Sequence, residues 1–346
     1  MVYCGILKTG AAVVPLNVLL KGREIAYHLK DSDAKAYFCF QRTPELPMAQ
    51  EGWAGFTAVD VCEHFWVMTA DPAAPSPIEG VPTLWRLIDG QPSVFDTVAT
   101  QFDDTSVILY TSGTTGYPKG AELSHASMTM NAMGSRDLEQ LTHDDVHLNV
   151  LPLVHSFGQT VLMNAGLSMG NKLVLIPRFG PASVLSAMQA EKVTIFAGVP
   201  TMHWALLTHE DKENKIDIKQ IADNLRLGIS GASSLPLEII KGIEDKYNIP
   251  IVEGYGLSET CPVATFNHLH KQRKPGSVGT PIWGVEVKIY IVLKEGQEVS
   301  KDEIVAWSKD QMAAYEYPHI VEIRESLPMT ATGKILKKDL KAEAAD

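Results

Sequence analysis

The run Thr111-Ser112-Gly113-Thr114-Thr115-Gly116-Tyr117-Pro118-Lys119-Gly120 directly follows an apolar, β-branched stretch at 106–110. Glycines let backbone N–H groups approach an anion, hydroxyls donate further hydrogen bonds, and lysine supplies a compact positive charge. The pattern predicts a strand that ends in a polyphosphate-binding loop. It is not a Walker loop, because Lys119 stands between Pro118 and Gly120 rather than between a glycine and a serine or threonine. The alternative is a glycine-rich turn without a ligand.

Outward from this run, short β-branched stretches alternate with helical patterns. The alternation predicts α/β architecture, with a parallel sheet covered by helices on both faces. The predicted strands are 106–110, 146–151, 172–176, 193–198, 225–229 and 250–253, and the predicted helices are 157–169, 181–192, 200–209 and 236–247. Ligands bind such sheets beyond the carboxyl ends of the strands. The predicted site loops therefore begin at Thr111, Pro152, Gly198, Ser230 and Gly254.

After residue 290 the composition changes, and a short segment rich in charged residues follows. Ser300 followed by Glu303 predicts a capping box that opens a helix through about residue 313, and 319–325 reads as a strand. Residues 328–334 read as a loop, and the proline-rich stretch 70–104 reads as an irregular connection. We therefore predict a large domain at 1–290 and a small α+β module at 291–346.

Composition limits the partners and the compartment. Thirty basic and forty-one acidic residues give a net charge of −11, which argues against nucleic acid as a general partner. No run of about eighteen apolar residues occurs, so no transmembrane segment is predicted. The four cysteines, Cys4, Cys39, Cys62 and Cys261, are scattered, which favours free thiols and a cytoplasmic location.

Two further segments accompany the loop. They are Gly254-Tyr255-Gly256-Leu257-Ser258-Glu259 and the stretch 328–340, which contains Thr332-Gly333-Lys334-Ile335. Together with the loop at 111–120 they resemble, in the same order, three signatures of the adenylate-forming superfamily. The resemblance implies an acyl-CoA synthetase-like fold. It also implies activation of a carboxylic acid by ATP and Mg²⁺ to an acyl-adenylate, followed by thioester formation with CoA, so that the partners are small molecules.

The resemblance also assigns roles to individual residues. The implied ligands of the β and γ phosphates are Thr111, Ser112, Gly113, Thr114, Thr115, Gly116 and Lys119. The implied contacts with adenosine come from Gly231, Ala232, Tyr255, Gly256 and Ser258, with Tyr255 stacked on adenine. Glu259 and Thr115 are the implied Mg²⁺ ligands. Lys334 is the implied bridge between the carboxylate and the α-phosphate.

The segment 152–158 resembles the family's border of the acid pocket, which implies that His155 lines or gates that pocket. Val154-His155-Ser156 contains no aspartate to pair with an α-ammonium group, so an acid without an amine is favoured. Residues 161–163 and 198–202 look most like those of fatty acyl-CoA synthetases. A fatty acid is therefore the first expectation, and an aryl acid stays open.

The sequence departs from the family pattern in two places. It begins in a segment, 5–11, that lies well inside the large domain of relatives, and 284–289 runs directly into 292–296, which relatives keep far apart. These departures predict an incomplete large domain and an incomplete small module. The sequence contains no Gly-Asp dipeptide, so no ribose partner is assigned.

Two other functions stay open at this point. One is a nucleotide- or acyl-binding protein derived from such a ligase but impaired in catalysis. The other is an acyl hydrolase, because Gly228-Ile229-Ser230-Gly231-Ala232 nearly forms a nucleophile elbow, although the final glycine is missing.

Overall fold

The computed structural model describes residues 1–111, 117–211, 213, 215–274, 276–286, 288–311, 317–329 and 340. The strands are β1 (Ala36–Phe40), β2 (His64–Met68), β3 (Thr105–Thr111), β4 (Lys119–Ser124), β5 (Val146–Asn149), β6 (Lys172–Leu175), β7 (Ile195–Gly198), β8 (Leu227–Ser230), β9 (Ile251–Gly256), β10 (Val263–Phe266), β11 (Thr280–Pro281), β12 (Lys288–Val292) and β13 (Ile320–Arg324). The helices are α1 (Val2–Lys8), α2 (Gly22–Asp31), α3 (Met48–Phe56), α4 (Leu84–Ile88), α5 (His125–Leu138), α6 (Ala165–Ser168), α7 (Pro181–Glu191), α8 (Pro200–Thr208), α9 (Ile218–Asn224), α10 (Leu237–Tyr247) and α11 (Lys301–Gln311). A π-helical segment, Phe157–Asn164, precedes α6, and a 3₁₀ turn, Ser258–Thr260, follows β9.

Over the ranges just given, the main sheet has seven strands in the order β11-β10-β9-β8-β7-β5-β6. The strands from β9 to β6 run parallel, and β10 and β11 are antiparallel additions at one edge. The crossovers between consecutive parallel strands contain helices, as parallel pairing requires. The prediction of an α/β fold is confirmed, with the correction that the sheet is mixed.

Helices cover both faces of this sheet, as predicted. Along β7, Ile195 and Phe196 point to opposite faces and join different buried clusters. On the Phe196 side the cluster includes Leu185 of α7 and Ile243 of α10. On the Ile195 side it includes Leu162 of the π-helical segment.

The predicted helices at 181–192, 200–209 and 236–247 correspond to α7, α8 and α10. Pro181 and Pro200 open α7 and α8, where the missing N–H of proline costs no helical hydrogen bond. The predicted helix at 157–169 forms as the π-helical segment followed by α6.

The strand predicted at 106–110 forms as β3, but its place in the main sheet was wrong. It pairs in an antiparallel two-stranded sheet with β4, where Thr111 lies opposite Lys119, and Val107 bridges to Val13. Seven residues separate Thr111 from Lys119. A connection this short returns the chain as a hairpin and cannot make a parallel crossover. The loop at Thr111 therefore does not extend from the main sheet, whereas those at Ser230 and Gly254 do.

Two small units flank the main sheet in the sequence. Near the start, β1 and β2 pair in parallel, and α2 packs against α3. Near the end, β12 and β13 pair in parallel, with α11 against β13, so β12 crosses the predicted boundary at 290. Within the ranges given above, no helix is both long and apolar enough to cross a membrane.

Candidate active site

A cleft of about 440 Å³, including its open mouth, lies where β8 and β9 end. Its lining contains five of the residues singled out from the sequence: His155, Gly231, Ala232, Tyr255 and Gly256. They come from three separate stretches of chain, at 155, 231–232 and 255–256. The carboxyl ends of neighbouring parallel strands thus form the site, as the α/β rule predicts.

The end of β9 requires glycine at position 256. A Cβ atom there would lie 2.1 Å from the carbonyl oxygen of Pro262. The same oxygen accepts the Leu257 N–H at 3.0 Å, so the two backbones are held in contact. Tyr255, immediately before, is half-buried in the cleft lining.

The loop after β8 approaches the cleft with a constrained backbone. Ala232 has a φ of +68°, in the left-handed region that glycine occupies at least cost. A Cβ atom on Gly231 would lie 3.0 Å from Cε1 of Phe157, an aromatic ring that also lines the cleft. Glycine at position 231 therefore leaves room for the Phe157 ring in the cleft lining.

A buried carboxylate that the sequence did not single out anchors this loop. The N–H of Leu235 donates to Oε1 of Glu253 at 2.9 Å, and Glu253 is only 5% exposed. The N–H of Glu253 itself donates to the side-chain oxygen of Asn267 at 3.0 Å. Glu253 thereby joins the loop after β8 to β9, one residue before Gly254 of the cleft lining.

His155 presents a neutral ring at the cleft. The N–H of Phe157 donates to its Nδ1 at 3.2 Å, so Nδ1 is unprotonated and the ring proton of the neutral form is on Nε2. Partial desolvation lowers the pKa of His155 from its usual range. At neutral pH the ring can therefore donate one hydrogen bond, from Nε2, to a ligand.

The described ends of the predicted phosphate loop lie at the tip of the β3–β4 hairpin. The Thr111 hydroxyl donates to the Lys119 carbonyl at 3.5 Å, and Lys119 is exposed. Strand β4 contacts the 3₁₀ turn that contains Ser258 and Glu259. The fold thus brings the Lys119 strand beside the Glu259 turn, although none of these four residues lines the cleft.

Asn131 of α5 holds the Glu259 turn, and sequence reasoning missed it. Its side-chain amide donates to the carbonyl oxygens of Thr260 at 3.0 Å and Val263 at 2.9 Å. The Val263 N–H donates back to the Asn131 side-chain oxygen at 3.2 Å. Its partners lie 129 and 132 positions further along the chain, so no local sequence signal identifies it.

The predicted residues Ser112, Gly113, Thr114, Thr115, Gly116 and Lys334 lie outside the described residues. In the part of the chain that is described, no group of three or more His, Cys, Asp or Glu side chains could hold a metal ion. Glu259 is exposed and offers one carboxylate. A single carboxylate fits Mg²⁺, which proteins usually bind through one or two carboxylates together with substrate phosphates.

The arrangement around Ser230 does not support the hydrolase alternative. The Ser230 hydroxyl is buried without a hydrogen-bond partner among the described residues. The buried imidazole of His203 instead donates from Nε2 to the Ile229 carbonyl at 3.0 Å. A nucleophilic serine needs a base within hydrogen-bond reach, and none is recorded in the part of the chain described.

Residues 1–315 match the profile of the AMP-binding enzyme family, so the chain belongs to this family. It is 35% identical over 191 residues to the long-chain-fatty-acid–CoA ligase of Bacillus subtilis (strain 168), which covers 54% of this chain and 33% of that protein. It is 29% identical over 320 residues to the feruloyl-CoA synthase of an Amycolatopsis species, which covers 90% of this chain and 57% of that protein. The chain therefore spans between a third and somewhat over half of these relatives.

Solved structures of similar fold agree with this assignment. An anthranilate CoA ligase, AuaEII, in complex with anthranoyl-AMP superposes with a TM-score of 0.71 at 22% identity, covering 99% of this chain and 84% of that one. The N-terminal domain of FACL13 from Mycobacterium tuberculosis superposes with a TM-score of 0.66 at 27% identity, covering 81% of this chain and 65% of that one. The resemblance to adenylate-forming enzymes, stated from the three signatures, is confirmed.

Proposed function

We propose that this protein activates a carboxylic acid with ATP and then transfers the acyl group to CoA. In the first step a carboxylate oxygen attacks the α-phosphorus, the bond to the bridging oxygen of the β-phosphate breaks, and pyrophosphate leaves. In the second step the CoA thiolate attacks the acyl carbon, and AMP leaves. The observation that carries the proposal is the cleft that joins His155, the loop after β8 and the signature at the end of β9.

The proposed roles follow the positions of the described residues. Tyr255 with Gly231 and Ala232 would hold adenine, because all three line the same cleft. Lys119 and Thr111 would bind the departing pyrophosphate, whose developing charge needs a cation and hydrogen-bond donors. Mg²⁺ would neutralise the same charge, with Glu259 as a ligand.

The proposed roles of the remaining residues rest on the family resemblance alone. The Ser112–Gly116 stretch would complete the phosphate loop, and Lys334 would bridge the two reacting anions. We propose the same division as the sequence suggested, with a large domain at 1–290 and a small module from 291. The four cysteines are free thiols, which supports a reducing, cytoplasmic setting.

The cleft supports an acid with an uncharged tail. Phe157, Val161 and Val263 contribute apolar walls, and no Lys, Arg, Asp or Glu is among the described lining residues. A second carboxylate on the substrate would be left without a cation, which is costly in such a setting. We therefore propose a fatty acid first and an aryl acid second, and we do not favour a dicarboxylic acid.

Pyrophosphate exchange with a panel of fatty, aryl and dicarboxylic acids tests the proposal. We expect ATP-dependent exchange with one of the first two classes, and its loss in Lys119→Ala and Glu259→Gln. Lys294→Ala, which removes an exposed lysine between β12 and α11, is the matched control and should leave exchange unchanged. Exchange that is unaffected by Lys119→Ala would contradict the proposed site.

A second candidate is a protein that binds nucleotide or acyl groups without catalysis. The absence of a Gly-Asp dipeptide favours it, since the resemblance implies an aspartate there for the ribose. ATP binding measured by calorimetry, without pyrophosphate exchange for any acid in the panel, would establish this candidate over the ligase.

A further inference from the structure

Helix α2 contacts the chain on the far side of the predicted phosphate loop. The Tyr27 hydroxyl donates to the carbonyl oxygen of Pro118 at 2.8 Å. The Tyr27 ring also stacks on the ring of Tyr117, with centroids 5.3 Å apart and an interplanar angle of 21°. Two consecutive residues immediately before Lys119 are therefore held by one side chain.

The same helix contacts the near side of the loop. The Tyr110 hydroxyl donates to a carboxylate oxygen of Asp31 at 2.6 Å. The ring of His28 meets that of Tyr110 edge to face, with centroids 4.3 Å apart. Tyr110 is the residue directly before Thr111, where the loop begins. Tyr27, His28 and Asp31, within about one turn of α2, thus hold both flanks of the loop, and we call them the α2 clasp.

The α2 clasp is itself fixed to another part of the fold. The N–H of Gly22, at the start of α2, donates to a carboxylate oxygen of Glu51 in α3 at 2.9 Å. A Cβ atom on Gly55 of α3 would lie 2.6 Å from Ile25 of α2, so the two helices pack at close range. The clasp therefore rests on the β1–β2 unit and has no residue in the cleft lining.

We propose that Tyr27 is a positioning residue for the phosphate loop and acts through Tyr117 and Pro118. Flanks that are held before the nucleotide arrives lose less conformational freedom on binding, which improves affinity without a direct contact. The bond to the Pro118 carbonyl fixes the backbone one residue before Lys119. It thereby limits the directions in which the Lys119 side chain can project from the hairpin. This inference rests on the proposed function, because the loop is assigned to ATP there.

The proposal predicts a selective effect on ATP. Tyr27→Phe removes the hydrogen bond and keeps the ring, and we expect the KM for ATP to rise roughly 3- to 10-fold. Tyr27→Ala removes both contacts, and we expect a larger rise, on the order of tenfold or more. The KM for the acid should change less than about twofold, because its cleft is not touched. The KM for ATP and the KM for the acid are both measured by pyrophosphate exchange.

Tyr37→Phe is the matched control. Tyr37 lies in β1 of the same unit and packs on Phe65 at 5.5 Å between ring centroids, away from the loop. We expect it to leave the KM for ATP unchanged. A merely structural role for Tyr27 would lower the melting temperature of Tyr27→Phe with no change in either KM, and that result would overturn the proposal.

A measurement without catalysis separates this inference from the proposed function. Hydrogen exchange is followed by mass spectrometry in peptides that cover residues 117–124, without nucleotide. We expect roughly threefold or faster exchange there in Tyr27→Ala than in the wild type or Tyr37→Phe. Equal exchange in all three proteins would refute the clasp. A wild type that lacks pyrophosphate exchange but shows this difference would refute the ligase and keep the contact.

Discussion

Asn131 and Val263 are joined by two hydrogen bonds that run in opposite directions, at 2.9 and 3.2 Å. Asn131 lies in α5 and Val263 opens β10, so the pair links a helix to the edge of the main sheet. The same asparagine holds the Thr260 carbonyl. The end of the turn that carries Glu259, and the start of the strand that follows it, are thus held by one side chain 129 positions before Thr260 in the chain.

Replacing Asn131 by alanine should destabilise the protein. The buried N–H and carbonyl of Val263 lose their side-chain partner, and unpaired buried groups of this kind cost roughly 1–3 kcal/mol each. We expect the free energy of unfolding in urea to fall by about 2–4 kcal/mol. Asn224→Ala, which removes a half-buried asparagine that donates to the Gln220 carbonyl within its own helix, should cost under about 1 kcal/mol. Equal losses in the two variants would contradict the role of Asn131.

Replacing Ala232 by glycine should stabilise the protein. Ala232 has a φ of +68°, and a side chain in the left-handed region costs roughly 1–2 kcal/mol. Glycine also makes the unfolded chain more flexible, which offsets part of this gain. We therefore expect the free energy of unfolding to rise by about 0.5–1 kcal/mol. The matched change Ala190→Gly, near the end of α7, should instead lose about 0.5–1 kcal/mol. A loss in both variants would mean that Ala232 is not strained.

Gly256→Ala should disturb both stability and nucleotide binding. Its Cβ would lie 2.1 Å from the Pro262 carbonyl oxygen, so β9 and residue 262 must move apart. We expect a loss of about 1–3 kcal/mol, as for other overpacked sites, and weaker ATP binding by calorimetry. Gly5→Ala in α1, where no atom of the described residues would lie within 4 Å of the new Cβ, should be neutral or slightly stabilising. Wild-type ATP affinity in Gly256→Ala would contradict the close approach.

The unfolding free energy should depend on pH through two buried histidines. Burial lowers the pKa of His203 and of His147 to about 4 each, from the usual 6.5. The folded pKa of each histidine lies below its unfolded value. The contribution of each ring to the free energy of unfolding is therefore fully present above about pH 6.5 and is lost progressively as the pH falls toward 4.

His203→Gln is the variant that tests this dependence. Each histidine contributes a slope of up to about 1.4 kcal/mol per pH unit in that window. Urea unfolding measured between about pH 4.5 and 7.5 should show a shallower dependence of the free energy of unfolding on pH for the variant, by about one proton. Thr208→Ser, at the end of the same helix, changes no titratable group and should keep the wild-type slope. Identical slopes for wild type and His203→Gln would contradict a neutral buried His203.

The repeating part of the fold was predictable because its signals are local. Strands β5 to β9 are apolar runs, and Pro181 and Pro200 mark the helix starts between them. The partner of β3 was not predictable from its own residues, since strand pairing depends on the length of the connection that follows. Strands β10 and β11 are too short to show a clear alternation of apolar and polar residues.

The candidate site was predictable where it consists of contiguous signatures. Gly231, Tyr255 and Gly256 line the cleft that the resemblance implied. Asn131 and Glu253 were missed because each is a lone polar residue whose partners lie far along the chain or in a loop. Their function arises from tertiary contacts, which a single sequence does not reveal.

Because the β3–β4 hairpin pairs outside the seven-stranded sheet, its tip can be redesigned without shifting the register of any strand that forms the cleft floor. A library of insertions between Thr111 and Lys119 would therefore vary the proposed phosphate loop while leaving the described lining of the cleft unchanged in sequence. The loops after β8 and β9 offer less freedom, because their own residues line the cleft.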